Sequence, residues 1–343
     1  MIRASVVGAS GYTGGELVRW LVRHPRVELM HLAAGQHQGK SLPEVFPHLE
    51  GLVRRPLGEP NWRKLGQESD VVFLALPHGL ALEAAPEILA AGARVVDLGP
   101  DFRLRDPAQY ARWYGREHTA VHLLKEAVYG LPELHRSRIR EANLVAVPGC
   151  YPTAALLGLL PLLRAGYGSG PVVVDAKSGV SGAGRSVSLG THFSEINENV
   201  RPYNAAHHRH IPEMEQTLAE AGCPAAVCFV PHLVPMTRGI LATCYVRLGR
   251  PLAGQAALDL YREAYAGEPF MRVLTGDLPQ TKATYGSNFC DLTVRVDTER
   301  EVAIAIAALD NLGKGAAGQA IQCMNLMFGL PETEGLLTPP LYP

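Results

Sequence analysis

Ile2 to Val7 is a short apolar run that leads straight into Gly8-Ala-Ser-Gly11-Tyr-Thr-Gly14-Gly-Glu-Leu. Glycine at every third position, between a strand and an apparent helix, restricts the chain more than any other stretch does. The pattern predicts a strand, a tight turn, then a helix over Glu16–Arg23 that stops at His24-Pro25. Its physical logic is close backbone approach to a pyrophosphate, with amide donors and the helix dipole facing the negative charge. A glycine string alone says little, and a turn without ligand is the plainer alternative; strand before and helix after give the string its meaning. The spacing is Gly-x-x-Gly-x-x-Gly rather than Gly-x-Gly-x-x-Gly, so Ser10 and Thr13 add hydroxyls to the backbone donors.

Val27–Ala33 reads as the second strand, and its end is where such folds read the adenosine ribose. The residues there are Ala34-Gly35-Gln36-His37-Gln38-Gly39-Lys40, with neither an acidic residue for NAD nor an Arg for NADP. Val71–Leu76 is a third strand, ending in Pro77-His78-Gly79 before a helix over Leu80–Ala91, and Val95–Leu98 is a fourth, ending in Gly99-Pro100-Asp101-Phe102-Arg103. Apolar strands alternating with helices predict a doubly wound parallel sheet, whose ligands sit beyond the carboxyl ends of the strands. His78 and Arg103 lie at that edge. Arg103 is either a substrate-phosphate contact or a solvated ion pair with Asp101 or Asp106.

The stretch Val145–Leu160 carries the chemistry. An apolar strand over Leu144–Val147 stops at Pro148-Gly149, Cys150 follows, and a helix opens near Thr153 with Pro152 in its first turn. A cysteine at a helix N-terminus has amide donors and a dipole that favour the thiolate. The alternatives are a nucleophile and a buried inert thiol.

Beyond it, a strand over Val172–Ala176 precedes Lys177-Ser-Gly-Val-Ser-Gly-Ala-Gly-Arg185, a small polar loop between two cations that suits cradling an anion with backbone amides. Asn204-Ala-Ala-His207-His208-Arg209-His210-Ile-Pro-Glu213 stands before a helix over Met214–Glu220. His208 and His210 have no Cys or carboxylate cluster at ligand spacing, so no metal is expected. A Cys and a His in separate segments fit covalent thiol catalysis with an acid/base. Strands over Cys228–Val234, Ile240–Arg247, Phe289–Val296 and Glu301–Leu309 predict an antiparallel sheet in a separate α+β domain, and Asn311–Leu326 a closing helix packed on the first domain.

Composition then excludes whole classes of function. A length of 343 residues suits two domains, and a net charge of −1 offers no footprint for nucleic acid or an anionic membrane. No run approaches the ~20 apolar residues of a membrane span, and Met1 runs into the first strand with no room for a signal peptide. The 6 cysteines form no C-x-x-C pair, as expected for a reducing cytoplasm.

These residues resemble the N-acetyl-γ-glutamyl-phosphate reductases of arginine biosynthesis. The likeness runs along nearly the whole chain through GASGYTG, LALPHG, DFRL, VYGLPEL, PGCYPTA, DAKSGVSGAGR, HRHIPE, PHLVPMTRGIL, GSNFCD and LDNLGKGAAGQA. It implies a Rossmann-type parallel-sheet domain over residues 1–149 plus 311–343, and an α+β catalytic, substrate and oligomerisation domain on a largely antiparallel sheet over 150–310. It implies NADPH as cofactor, a small acyl phosphate as substrate, a homodimer or homotetramer, and Cys150 as nucleophile passing through a thioester. His210 is the expected acid/base, with His208 second. Cofactor contacts are expected at Gly8, Ser10, Gly11, Tyr12, Thr13, Gly14, Gly35, Lys40, Pro77, His78, Ser178, Gly179, Gly182 and Asn311. Substrate contacts are expected at Arg103, Lys177, Arg185 and Arg209. The chain departs from the family at Ala34-Gly35, where Ser-Arg is common, and at His207, which crowds or supplements the site where a small residue is usual. The rival readings are the lysine-pathway paralogue, whose carrier-bound substrate is one methylene longer, and a dinucleotide-binding regulator without catalysis.

Overall fold

The computed structural model describes residues 1–342, which divide into two compact units: Met1–Pro148 with Ala316–Leu337, and Gly149–Gly315 with the tail from Thr338. The first unit contains strands β1 (Ile2–Val7), β2 (Val27–Ala33), β3 (Leu57–Gly58), β4 (Val71–Leu74), β5 (Arg94–Asp97), β6 (Val128–Tyr129) and β7 (Leu144–Ala146). They form a parallel sheet in the order β3-β2-β1-β4-β5-β7-β6. Near-continuous burial of Val71–Leu74 and Leu144–Ala146 is what a parallel sheet covered on both faces requires. The strand order reverses between β1 and β4, the place where such sheets bind ligands.

The first helix is Tyr12–Leu21, opening earlier than the periodicity predicts. Gly14 and Gly15 are poor helix formers, and close packing requires both. A Cβ on Gly14 would lie 2.2 Å from the Gly8 carbonyl oxygen, and one on Gly15 2.6 Å from the Phe46 ring. Gly8 has φ +81°, and its Cβ would lie 2.1 Å from the Ala75 oxygen, so only glycine lets β1 turn here. The closing helix is Gly318–Met327, shorter than expected because a π-helical turn over Gly313–Ala317 precedes it. It packs on the helix Pro132–Glu141 and on β5.

The second unit holds β8 (Val172–Ser178), β9 (Arg201–Pro202), β10 (Val227–Leu233), β11 (Ile240–Arg247), β12 (Met271–Val273), β13 (Cys290–Asp297) and β14 (Val302–Leu309), in the order β12-β13-β14-β11-β8-β10-β9. The run β13-β14-β11-β8 is antiparallel as expected, but β10 lies parallel to β8. The connection between those two strands contains the helix Ile211–Glu220, and a crossover of that length permits parallel pairing. The helix Cys150–Arg164 covers one face of this sheet. It is buried from Tyr151 to Leu163, and its Gly158 sits in contact with Ala305, Ala307 and Cys244. Each leucine buried there is worth about 1.5–3 kcal/mol, which anchors the residue at the helix start. On the opposite face, Val173 of β8 and Tyr245 of β11 stand in register and exposed, beside half-buried Ile304 of β14.

Candidate active site

In the first unit the glycine turn ends β1 against β2. The amides of Gly8 and Ala9 donate to the Ala33 carbonyl at 2.8 and 3.1 Å, closing the turn on β2. Gly11 is the N-cap of Tyr12–Leu21 and offers no side-chain cap, so the first-turn amides at Tyr12, Thr13 and Gly14 lack intrahelical partners. An uncapped N-terminus flanked by half-buried Ser10 and Thr13 fits a dinucleotide phosphate. Gly35 and Lys40 lie on an exposed loop, with nothing within 4 Å of a Cβ placed on Gly35. Pro77 and His78 are exposed in the loop after β4, and His78 leans on Tyr114 with ring centres 6.0 Å apart.

Asp101 braces that loop. Its carboxylate accepts the Gly79 amide at 2.7 Å, the Ala81 amide at 3.1 Å and the Tyr110 hydroxyl at 2.7 Å. Arg103 is buried, so a solvated ion pair does not describe it, and Asp106 caps the helix Pro107–Tyr114 through the Ala108 amide. Arg103 is buried and donates to the carbonyls of Val147 (2.8 Å) and Leu98 (2.9 Å), tying the ends of two strands together. Beneath it, fully buried Asp97 accepts the Gly99 amide, and burial, then the charge of Asp101, push its carboxyl up to about 7.

In the second unit Cys150 is the first helical residue, so the helix opens at this cysteine rather than near Thr153. Gly149 is the N-cap, and the Thr153 amide and hydroxyl both donate to its carbonyl, at 2.9 and 3.0 Å. Cys150 is half-buried against Gly315, whose Cβ, if present, would sit 2.9 Å from that of Cys150. Burial raises the thiol of Cys244 to about 12, leaving an inert contrast. His210 lies with its ring edge on Gly149, Nε2 being 2.5 Å from where a Cβ would stand.

His208 is different. Its Nδ1 accepts the His210 amide at 3.1 Å, and burial, then the charge of Arg209, push it down to about 4. The two imidazoles are 4.5 Å apart inside an aromatic box of Tyr151, Tyr203 and Phe229. The Tyr203 hydroxyl donates to that of Tyr151, which donates to the His232 carbonyl, each at 3.2 Å. His207 and Arg209 face solvent, so His207 does not crowd the site.

The loop after β8 corrects one expectation. The amides of Gly179, Val180, Ser181, Gly182 and Gly184 donate to the carbonyls of Gly239, Met236, Thr237, Gly179 and Ser181, so they are not an open anion cradle. Close packing explains the glycines: a Cβ on Gly179 would meet the Thr237 oxygen at 2.7 Å, and one on Gly182 the Ser178 hydroxyl at 2.9 Å. Lys177 belongs to β8 rather than the loop and pairs with Asp175 at 2.6 Å, while Arg185 is exposed at the far end. Asn311 pins the loop, accepting the Gly239 amide at 2.8 Å and donating to the Ser181 hydroxyl at 2.9 Å.

Sequence reasoning missed Asp310, which accepts the Gly286, Leu312 and Gly313 amides and lies 3.4 Å from Arg238. It also missed Glu213, whose only local signal was its place in the first turn of a helix. No trio of His, Cys, Asp or Glu side chains converges as a metal ligand set among the described residues.

Family models for the semialdehyde dehydrogenase NAD-binding domain and dimerisation domain match residues 3–142 and 150–311. A relative from Symbiobacterium thermophilum named N-acetyl-gamma-glutamyl-phosphate reductase is 55% identical over 100% of this chain and 99% of its own. One of the same name from Pelotomaculum thermopropionicum is 51% identical with the same coverage. Among solved structures, aspartate semialdehyde dehydrogenase II of Vibrio cholerae superposes with TM-score 0.73 at 18% identity, over 96% of this chain and 98% of that one. The NADP complex of the Candida albicans enzyme superposes with TM-score 0.70 at 17% identity, again over 96% and 98%. With Cys150 on its helix start, the uncapped glycine turn on the parallel sheet and full-length identity above half, the chain belongs to the N-acetyl-γ-glutamyl-phosphate reductase family.

Proposed function

We propose that the protein reduces N-acetyl-γ-glutamyl phosphate to the 5-semialdehyde with release of phosphate, using NADPH, in arginine biosynthesis. The observation that carries this reading is Cys150 at the first position of a helix whose N-cap, Gly149, has no capping side chain of its own, with the His210 ring edge on that N-cap. The Cys150 thiolate attacks the acyl carbon; an S–C bond forms, the C–O bond to phosphate breaks, and a thioester remains. Bound NADPH supplies the hydride. His210 gives a proton to the oxygen of the reduced carbon and recovers it as the S–C bond breaks, releasing the aldehyde and restoring the Cys150 thiolate. His208, neutral and already accepting a backbone amide, is suited to hold His210 rather than to move the proton.

Gly8, Ser10, Gly11, Tyr12, Thr13, Gly14, Gly35, Lys40, Pro77 and His78 are the proposed cofactor residues of the first unit, and Ser178, Gly179, Gly182 and Asn311 those of the second. Arg103, Lys177, Arg185 and Arg209 remain proposed substrate cations, with Arg103 and Lys177 already engaged within the protein. A homodimer or homotetramer is proposed from the exposed Val173–Tyr245 row and the dimerisation model on this unit. A cytoplasmic location is proposed from the free state of the cysteines.

The test is NADP- and phosphate-dependent oxidation of N-acetylglutamate semialdehyde against its one-carbon-longer homologue. A methylene is worth roughly 10- to 200-fold in kcat/KM, and the shorter substrate should win. Preference for the longer one would mark the lysine-pathway paralogue, and no turnover with either would mark a regulator.

A further inference from the structure

We propose that Glu213 is a positioning residue for this reaction, holding the nucleophile's helix and the histidine segment in one register; the proposal rests on the roles given above to Cys150 and His210. Glu213 is the third residue of the helix Ile211–Glu220, whose N-cap is His210. A glutamate in that position ordinarily turns back to accept the amide of its own N-cap residue. Here that amide is taken, because His210 donates it to Nδ1 of His208. Glu213 crosses instead to the neighbouring helix and accepts the Gly149 amide at 2.8 Å. Gly149 is the N-cap of Cys150–Arg164 and has no side chain with which to cap its own helix.

The bonds at the two helix entrances thus include a local one, from the His210 amide to His208, and one across, from the Gly149 amide to Glu213. Gly149 is gripped on both sides, its amide by Glu213 and its Cα by the His210 ring. Glu213 is only 1% exposed, so no water replaces its oxygen readily. Next to it in sequence stand the titratable and charged groups His208, Arg209 and His210, and the helix entrance it bonds carries Cys150 and Tyr151. Removing the acceptor leaves a buried amide unpaired and frees the N-cap to move Cys150 against His210.

The test compares Glu213→Gln, which keeps an acceptor oxygen but loses the charge, with Glu213→Ala in the full chain. Readouts are kcat, KM, NADP affinity, and the pH dependence of Cys150 alkylation by iodoacetamide. A displacement of about 1 Å costs roughly 100-fold, so Glu213→Ala should lose about that factor in kcat while NADP affinity stays within about twofold. Glu213→Gln should keep kcat within about tenfold, and its alkylation midpoint should move to lower pH because a negative charge near the thiolate is gone. Alkylation needs no substrate, so this arm stands even if the proposed reaction is wrong. Full kcat in Glu213→Ala overturns the proposal. So does Glu213→Gln as damaging as Glu213→Ala with the alkylation profile unmoved; if Glu213→Ala does not fold, the Gln variant decides alone.

Discussion

Replacing Gly149 by alanine is the sharpest probe of the site, because the whole perturbation is one methyl group. Gly149 has φ −63° and ψ 152°, a conformation alanine adopts without strain. The added Cβ would stand 2.5, 2.8 and 3.0 Å from Nε2, Cε1 and Cδ2 of His210. Ordinary contact begins near 3.4 Å, so the imidazole must retreat by roughly 0.9 Å (3.4 − 2.5) or swing its Nε2 by a similar distance. Overpacking of this kind costs about 1–3 kcal/mol of stability, which a chain of this size survives folded. The same shift in a proton-transferring group costs roughly 100-fold in rate. Gly149→Ala should therefore lose about two orders of magnitude in kcat, with NADP affinity unchanged. Steady-state oxidation of the semialdehyde, an NADP titration and a denaturant melt measure the three quantities. A kcat within about threefold of wild type would refute the placement of His210 as acid/base, since the ring cannot stay where it is.

Cys150→Ser should abolish nearly all turnover while still binding dinucleotide, and labelling of Cys150 without loss of activity would remove it as nucleophile. His210→Asn should lower kcat by about 10²- to 10⁴-fold; a mild effect there with a severe one in His208→Asn would exchange their roles. Wild type should prefer NADP by a modest ratio, Lys40→Ala should weaken NADP alone, and Gly35→Arg, which has open space for its side chain, should widen the ratio through a phosphate clamp; a wild-type preference for NAD defeats this. Asp97 titrates near 7 folded against about 4 unfolded, so between those values the unfolded chain binds fewer protons and stability falls as pH rises. Asp97→Asn, measured by urea melts at about pH 5 and pH 8, should flatten that slope and gain most at the higher pH, and an unchanged slope counts against a buried neutral Asp97.

The local grammar of this chain was legible. β2 over Val27–Ala33 and β11 over Ile240–Arg247 match their sequence reading to the residue, because apolar patterning and flanking turn residues act within a few positions. Pro148-Gly149 before Cys150 likewise announced a strand end and a helix start, since proline and glycine change the backbone itself. The start of Tyr12–Leu21 was not legible, because Gly14 and Gly15 answer to contacts with Gly8 and Phe46 rather than to helix propensity.

By itself, then, the amino-acid order determined which segments are strands and helices and which cysteine stands at a helix mouth. Tertiary structure decided the partners. It turned the amides of Gly179, Val180 and Ser181 onto the carbonyls of Gly239, Met236 and Thr237, engaged Arg103 with backbone carbonyls, and laid β10 parallel to β8. It also brought Glu213 to the amide of Gly149, 64 residues away. Hydrogen-bond donors do not encode their acceptors in sequence; a buried amide takes whichever oxygen packing brings within 3 Å or so. That choice belongs to the assembled layers.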